Sequence, residues 1–297
     1  MAKGDKEIRQ RIRSVKSTQQ ITRAMKMVAS AKLKKSQNAT ERAHSYADTM
    51  LRIIDHLVRA LPDYEHPLLR KAESQSPETL FIVFTSDKGL CGSFNSNIVR
   101  RAEMFMKEHG DRKFRLFTIG KYSTRYFGRR GYTIDSTSPS FDFGVKYYAL
   151  EGLFSKLEQH FLNREVEEVW LLYSRYISPV RQTPTLLKLL PVEHEGLRGG
   201  LKAVDELTPE EQDMIIEPSP LRVLDQLLPR FVRYSLFSAV RETYTSENAA
   251  RMLAMDNATK NAGEMIDGLT LTYNKARQQA ITLELLDIVG GAEALKG

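Results

Sequence analysis

The sequence predicts an α/β protein in which a long antiparallel two-helix coiled coil, built from the two termini, carries an inserted Rossmann-like domain with a mostly parallel open sheet. The first observation behind this is where the helix breakers fall. No Gly or Pro occurs from Asp5 to Leu61, none occurs from Arg230 to Ala262, and nine of the eleven prolines lie between Tyr64 and Pro220. Gly and Pro are the strongest local punctuators of helices, so their segregation divides the chain into helical ends and a punctuated middle. The second observation is a heptad seam near the C-terminus, and the third is an alternation of strand and helix signals in between. The expected boundaries are 1–62 for the N-terminal coiled-coil helix, 63–219 for the inserted α/β domain and 220–297 for the C-terminal coiled-coil helix.

The N-terminal helix places Ile8, Ile12, Val15, Thr18, Ile21, Met25, Val28 and Ala29 at steps that make one narrow stripe. An unbroken helix of ~55 residues would be roughly 80 Å long, longer than one compact domain. The middle begins with "TLFIVFTS" (Thr79–Ser86), a buried-strand run, followed by the turn "DKGLCGSFN" and a helix from about Asn95 to His109. A second strand spans Lys113–Gly120, a short helix Lys121–Gly128 and a longer helix roughly Phe141–Arg164. Further strands are read at Val166–Ile177 and Thr183–Val192. This order is that of an open, mostly parallel sheet. The acidic, Pro-punctuated stretch Gly200–Pro220 reads as the connection back to the helical part.

The C-terminal helix carries the clearest pattern. Met252, Met255, Thr259, Ala262, Ile266, Leu269, Tyr273, Ala276, Ala280 and Leu283 follow one another at steps of three and four, an a/d seam over more than four heptads. Neither terminal helix has an apolar face broad enough for a globular core, so the economical arrangement pairs the two, and the intervening domain makes that pairing antiparallel. A homodimeric parallel coil is the competing arrangement. In the last turns, Ile281, Leu283, Leu285, Leu286, Ile288 and Val289 point in nearly every direction around the axis. A helix that is apolar all round is normally buried, so this tip is expected to be enclosed by something outside the chain.

Composition narrows the function. Hydrophobic content of 41% and charged content of 27% describe a globular chain. The single cysteine, Cys91, excludes an intramolecular disulfide and a Cys-based metal cluster. The six histidines have no spacing that seats a metal, and no run of about 18 apolar residues is present to span a membrane. The N-terminus reads as a mature, cytosolic one. Charge is uneven: the first 35 residues hold eleven Lys or Arg against Asp5 and Glu7, within a net charge of +7 for the whole chain. Such a helix suits nucleic acid, an anionic membrane or an acidic protein surface.

The turn after the first strand lies where a doubly wound fold cradles a phosphate. It lacks G-x-G-x-x-G, however, and no G-x-x-x-x-G-K-[ST] occurs in the chain. "GKYST" (Gly120–Thr124) has a Gly-Lys pair without the preceding glycine. No carboxylate pair or Ser/His/Asp grouping stands out. Direct nucleotide binding, cofactors and catalytic residues are therefore not expected.

"IRQRIRSVKSTQQITRAMKMVASAKLKKSQ" (Ile8–Gln37) and "SENAARMLAMDNATKNAGEMIDGLTLTYNKARQQAITLELLDIVGGAEAL" (Ser246–Leu295) resemble the terminal signatures of the gamma subunit of F-type ATP synthase, and "SDKGLCGSFN" (Ser86–Asn95) resembles that family's central motif. The resemblance implies a non-catalytic rotor shaft inside a hexamer of alpha and beta subunits, with the inserted domain against the epsilon subunit and the c-subunit ring. It implies a peripheral membrane protein on the cytoplasmic face of a bacterial inner membrane. It also assigns Met25 to a beta-subunit lever, Arg277 and Gln278 to a catch on beta-subunit loops, and the tip with Ile281, Leu285, Leu286, Ile288 and Val289 to an apolar bearing. The paired-cysteine insertion of the chloroplast branch is missing. The alternative reading is a nucleic-acid-binding basic coiled coil, and a weaker one is an enzyme with a degenerate dinucleotide fold.

Overall fold

A computed structural model describes residues 3–61, 66–69, 78–141, 147–192 and 216–294. The chain forms two compact units, one from Met1–Ala29 with Arg251–Gly297 and one from Ser30–Ala250. Two helices contribute to both: α1 (Lys3–Ala60) and α5 (Pro220–Ala294). Between them in sequence lie β1 (Glu78–Phe84), α2 (Phe94–Glu108), β2 (Lys113–Ile119), α3 (Lys121–Gly128), β3 (Ile134–Ser138), a 3-10 turn (Tyr147–Leu150), α4 (Glu151–Leu162), β4 (Glu168–Tyr176) and β5 (Gln182–Leu190).

The larger unit is a three-layer domain. Its sheet has the order β3-β2-β1-β4-β5, with β1 to β4 parallel and β5 antiparallel on the edge. Successive side chains of a strand point to opposite faces, and β1 shows the consequence. Phe81 and Val83 pack with Ile98, Val99, Ala102 and Phe105 of α2 and Phe127 of α3. Leu80, Ile82 and Phe84 enter the opposite core with Ile54 and Leu57 of α1, Phe154 and Leu157 of α4, and Leu224, Leu228, Val232 and Leu236 of α5. A strand covered on both faces reads as one continuous apolar run, which is why β1 is so plain in the sequence.

The structure changes two details of the expected elements. The helix expected over Phe141–Arg164 is shorter, a 3-10 turn followed by α4, while residues 142–146 lie outside the described residues. The strand β3 has no counterpart in the sequence reading. Its five residues, "IDSTS", alternate between half-buried and exposed on the sheet edge, so it needs no apolar run, and polar edges discourage further pairing. The C-terminal helix, expected over 220–297, runs through Pro229 without a break. The acidic stretch from Gly200 lies outside the described residues as far as 215.

Three sites hold the loops at the strand ends. Gly120 takes φ +97°, and a Cβ there would stand 2.1 Å from the Thr85 carbonyl oxygen, so only glycine fits. The Thr85 hydroxyl donates to Ser123 Oγ at 2.8 Å and accepts the Ser123 N–H at 2.9 Å. Asp87 Oδ1 accepts the N–H groups of Lys121 (2.9 Å) and Ser140 (3.0 Å), tying the end of β1 to the start of α3 and the segment after β3.

The end of β4 is held differently. Pairing of β1 with β4 stops at Val83 opposite Leu172, so the backbone groups of Ser174 and Tyr176 face the side where β1 has ended. Side chains of α5 take the vacant places. Ser246 Oγ donates to the Ser174 carbonyl at 2.9 Å, the Ser174 N–H donates to Thr243 Oγ1 at 3.4 Å, and the Tyr176 N–H donates to Glu242 Oε2 at 3.1 Å. From α1, Gln37 Nε2 donates to the Tyr176 hydroxyl. Glu242 is 3% exposed. Burial pushes its carboxyl up to about 7, against the opposing pull of the Tyr176 N–H and of Arg175.

A carboxyl whose folded pKa is raised stabilises the fold below its unfolded value, and that contribution is lost as pH rises through the folded value. Between pH 4.5 and about 7, unfolding free energy is therefore expected to fall with rising pH by up to about 3 kcal/mol from this group. Glu242→Gln keeps an acceptor for Tyr176 and is expected to flatten that slope and to raise stability at pH 8. Denaturant melts of wild type and variant across this range check it, and identical slopes would contradict it.

Candidate partner-binding surfaces

The smaller unit is the two-helix coil, and its partners define the register. Arg9 stacks 5.2 Å over the Tyr273 ring, Thr259 Oγ1 donates to Thr22 Oγ1 at 2.8 Å, and Lys26 Nζ bonds Asp256 at 2.7 Å. Numbers that rise along α1 fall along α5, so the coil is antiparallel, as the sequence predicts. The α5 seam follows the expected heptads: Met255 and Ala262 are buried, and Met252, Thr259, Ile266, Leu269, Tyr273, Ala276 and Ala280 are half-buried. Leu283 is the exception, at 62% exposed.

On α1 the seam differs from the apolar stripe read from the sequence. The residues turned inward are Ile8, Ile12, Val15, Gln19, Thr22, Lys26, Ala29 and Leu33, at strict steps of four and three, whereas Ile21 and Val28 are each 58% exposed. The middle of this seam is polar because α5 presents polar partners there. Gln19 Nε2 donates to the Thr259 carbonyl at 3.4 Å, and Asp256 receives both Lys26 and, at 3.3 Å, Lys260. The hydrogen bond from Lys26 holds the Asp256 carboxyl below its usual range. Small residues let the backbones close up. A Cβ on Gly263 would lie 3.2 Å from Gln19 Nε2. The apolar stripe finds Ile8, Ile12, Val15 and Ala29 of this seam and misses its polar middle, Gln19, Thr22 and Lys26, where only the partner helix reveals that polar side chains can satisfy one another.

The residues expected to meet partners fall into three places. Met25 is half-buried in α1, beside the exposed Ile21 and Val28. Arg277 and Gln278 are exposed, just after the half-buried Ala276. At the tip, Ile281 is 48%, Leu285 57%, Leu286 61%, Ile288 64% and Val289 58% exposed. Continued from Arg9 opposite Tyr273, the antiparallel register sets Lys3, the first described residue of α1, opposite the turn just before Ile281. Beyond that point no helix of this chain lies beside α5 among the described residues. The structure does not gather these residues into one site. They are stations along the coil.

In the larger unit, the crevice where a doubly wound sheet receives its ligand is the point where strand order reverses, here between β1 and β4. Glu242, Thr243 and Ser246 fill it. The adjoining turn is closed on itself. Asn95 Oδ1 accepts the Ser86 N–H at 3.0 Å, Ser86 Oγ donates to the Lys88 carbonyl at 2.7 Å, and Asn95 Nδ2 reaches Cys91 Sγ at 3.4 Å. Leu90 adopts φ 61° there and points into solvent. The sequence supplied the turn but not its occupant, which arrives from 150 residues away. Among the described residues no helix is long and apolar enough to cross a membrane.

These features define a class: a coiled-coil protein whose doubly wound domain is closed by its own helix. A family model described as ATP synthase matches residues 5–295. The chain is 40% identical to the ATP synthase gamma chain of Pelotomaculum thermopropionicum over 98% of its length and 99% of that protein. It is 38% identical to the gamma chain of Symbiobacterium thermophilum over the whole of both chains. Among solved structures, it is similar to a chain of the Euglena gracilis mitochondrial ATP synthase OSCP/F1/c-ring (TM-score 0.66, 20% identity, 98% of this chain and 94% of that one). A second is a chain from the central stalk and c-ring of the Tetrahymena thermophila enzyme (TM-score 0.58, 24% identity, 80% and 99% covered). The chain belongs to the ATP synthase gamma-chain family, which favours the shaft over the nucleic-acid-binding coil.

The seam makes a direct prediction. Ala29 is 1% exposed, and Ala29→Leu overfills it, at an expected cost of about 1–3 kcal/mol. The exposed Val28→Ala is expected to stay within about 0.5 kcal/mol of wild type. Thermal unfolding of the two full-length variants checks the difference.

Proposed function

We propose that this chain is the central rotor shaft of an F-type ATP synthase, coupling ion flow through a membrane c ring to ATP synthesis and hydrolysis on a surrounding alpha-beta hexamer. It contributes no bond-making groups. The observation that carries this reading is the run of exposed apolar side chains from Ile281 to Val289, on a stretch of α5 that, among the described residues, has no other helix beside it. Exposed apolar patches of this kind mark interaction sites, and a ring of partner subunits can cover a helix that is apolar on every side. Family membership and the self-filled crevice between β1 and β4 support the same reading.

In this mechanism the c ring turns the domain built on the sheet, and the domain turns the helices. An asymmetric shaft then presents a different face to each beta subunit and shifts its nucleotide affinity, which requires a differential interaction with the alternative beta conformations. Met25 faces a beta-subunit lever, Arg277 and Gln278 act as the catch, and Ile281, Leu285, Leu286, Ile288 and Val289 turn in the apolar bearing. The epsilon subunit and the c ring bind the inserted domain. The complex sits on the cytoplasmic face of a bacterial inner membrane, with this chain as a peripheral subunit. Co-expression with alpha and beta subunits tests the reading: a 3:3:1 complex on size exclusion is expected, and a chain that elutes alone would contradict it.

The catch gives a sharper test. Arg277 and Gln278 project beside the coil, where a charge-assisted hydrogen bond partly shielded from water is worth about 1.5–3 kcal/mol. Replacing both with Ala keeps the helix, since Ala is its best former. Normal assembly is expected, with reduced steady-state ATP hydrolysis and poor proton pumping by membranes. Wild-type values for both in assembled double-mutant complexes would remove the catch from the mechanism.

A further inference from the structure

In a rotor of this kind, turning force must pass between the sheet and the two long helices. The large apolar core under α1 and α5 resists their separation from the sheet, but apolar attraction has no preferred direction. Hydrogen bonds do, and both helices bond to the same strand at Tyr176. Tyr176 of β4 gives its backbone N–H to Glu242 of α5 at 3.1 Å, and its hydroxyl accepts Gln37 of α1. Two residues earlier, Ser174 bonds through its carbonyl to Ser246 at 2.9 Å and through its N–H to Thr243 at 3.4 Å. Close by, Lys32 of α1 lies 5.9 Å over the ring of Tyr244, on the same stretch of α5. Thr243, Tyr244, Ser246, Glu242 and Ser174 are all buried, so the two bonds to Ser174 form away from competing water, while those of Tyr176 are part-buried.

We infer that the Ser174–Tyr176 segment is the coupling clamp of the rotor, with Glu242, Thr243, Ser246 and Gln37 as positioning residues that index both helices to the sheet. The inference rests on the rotor-shaft reading and adds to it the residues through which force passes. A slip of α5 by one residue turns its side chains by about 100° and shifts them by about 1.5 Å, which breaks all three of its bonds to β4 at once. Backbone groups as partners explain the placement: β4 offers them only beyond the end of β1, and only polar side chains from a helix can reach them. This accounts for the run of buried polar residues from Glu242 to Ser246, which neither an apolar core nor an exposed surface requires.

The test uses the reconstituted complex in vesicles, with Thr243→Val/Ser246→Ala as the disabling pair and Thr243→Ser/Ser246→Thr as the pair that keeps both hydroxyls. Hydrogen exchange of the peptide spanning Ser174–Tyr176 is expected to speed by about tenfold in the first pair, as for one lost hydrogen bond. ATP-driven proton pumping is expected to be lost while ATP hydrolysis continues, and the second pair is expected to restore pumping. If the disabling pair does not assemble, Ser246→Ala alone is measured in the same way. Unchanged exchange, or faster exchange with wild-type pumping per ATP hydrolysed, would overturn the clamp. Failure of the wild-type chain to assemble or pump would instead count against the rotor reading.

Discussion

The open end of β4 is the constraint around which the larger unit is arranged. A parallel sheet of unequal strands leaves backbone donors and acceptors exposed where a neighbour stops, and buried groups of that kind must find partners. Here β1 stops at Phe84 and β4 runs on to Tyr176. The chain meets the demand with Glu242, Thr243 and Ser246 from a helix more than sixty residues later. Once α5 is drawn to that position, its upstream turn is fixed against the sheet through Leu224, Leu228, Val232 and Leu236. The crevice in which other doubly wound domains hold a ligand is then occupied. The hydrogen bonds to β4 and the apolar contacts upstream thus hold α5 on the sheet together.

The coil obeys a related rule with different chemistry. Its seam mixes small apolar residues with a polar centre made of Gln19, Thr22, Lys26, Asp256 and Thr259. Polar residues at seam positions specify register, since a slipped helix leaves them unpaired. The apolar residues Ile21 and Val28 on α1, and Leu271 and the tip on α5, lie on the outside. Such a surface suits a helix pair that works inside a ring of partners.

How far the sequence could be read followed from how local each signal is. The lengths of α1 and α5, the antiparallel pairing, the α5 seam and strands β1, β2, β4 and β5 all rest on periodicity or on breaker placement, and all were legible. The polar middle of the α1 seam was not, because polar side chains at seam positions make sense only beside Asp256 and Thr259. The edge strand β3 was hidden by its polar alternation. The buried run from Glu242 to Ser246 carried no recognisable pattern either, since its partners are backbone atoms of a distant strand. The exposed apolar tip from Ile281 to Val289 was open to direct reading as well, because its side chains point in nearly every direction around the axis.

In the proposed rotor shaft, the domain built on the sheet and the helices turn together against a stationary alpha-beta ring. The direct measurement is single-molecule rotation, with the hexamer fixed to a surface and a bead attached to the exposed α2 face of the sheet domain. Unidirectional stepping of the bead during ATP hydrolysis, with three dwell positions per turn, is expected. A complex that hydrolyses ATP while the bead remains stationary would contradict it.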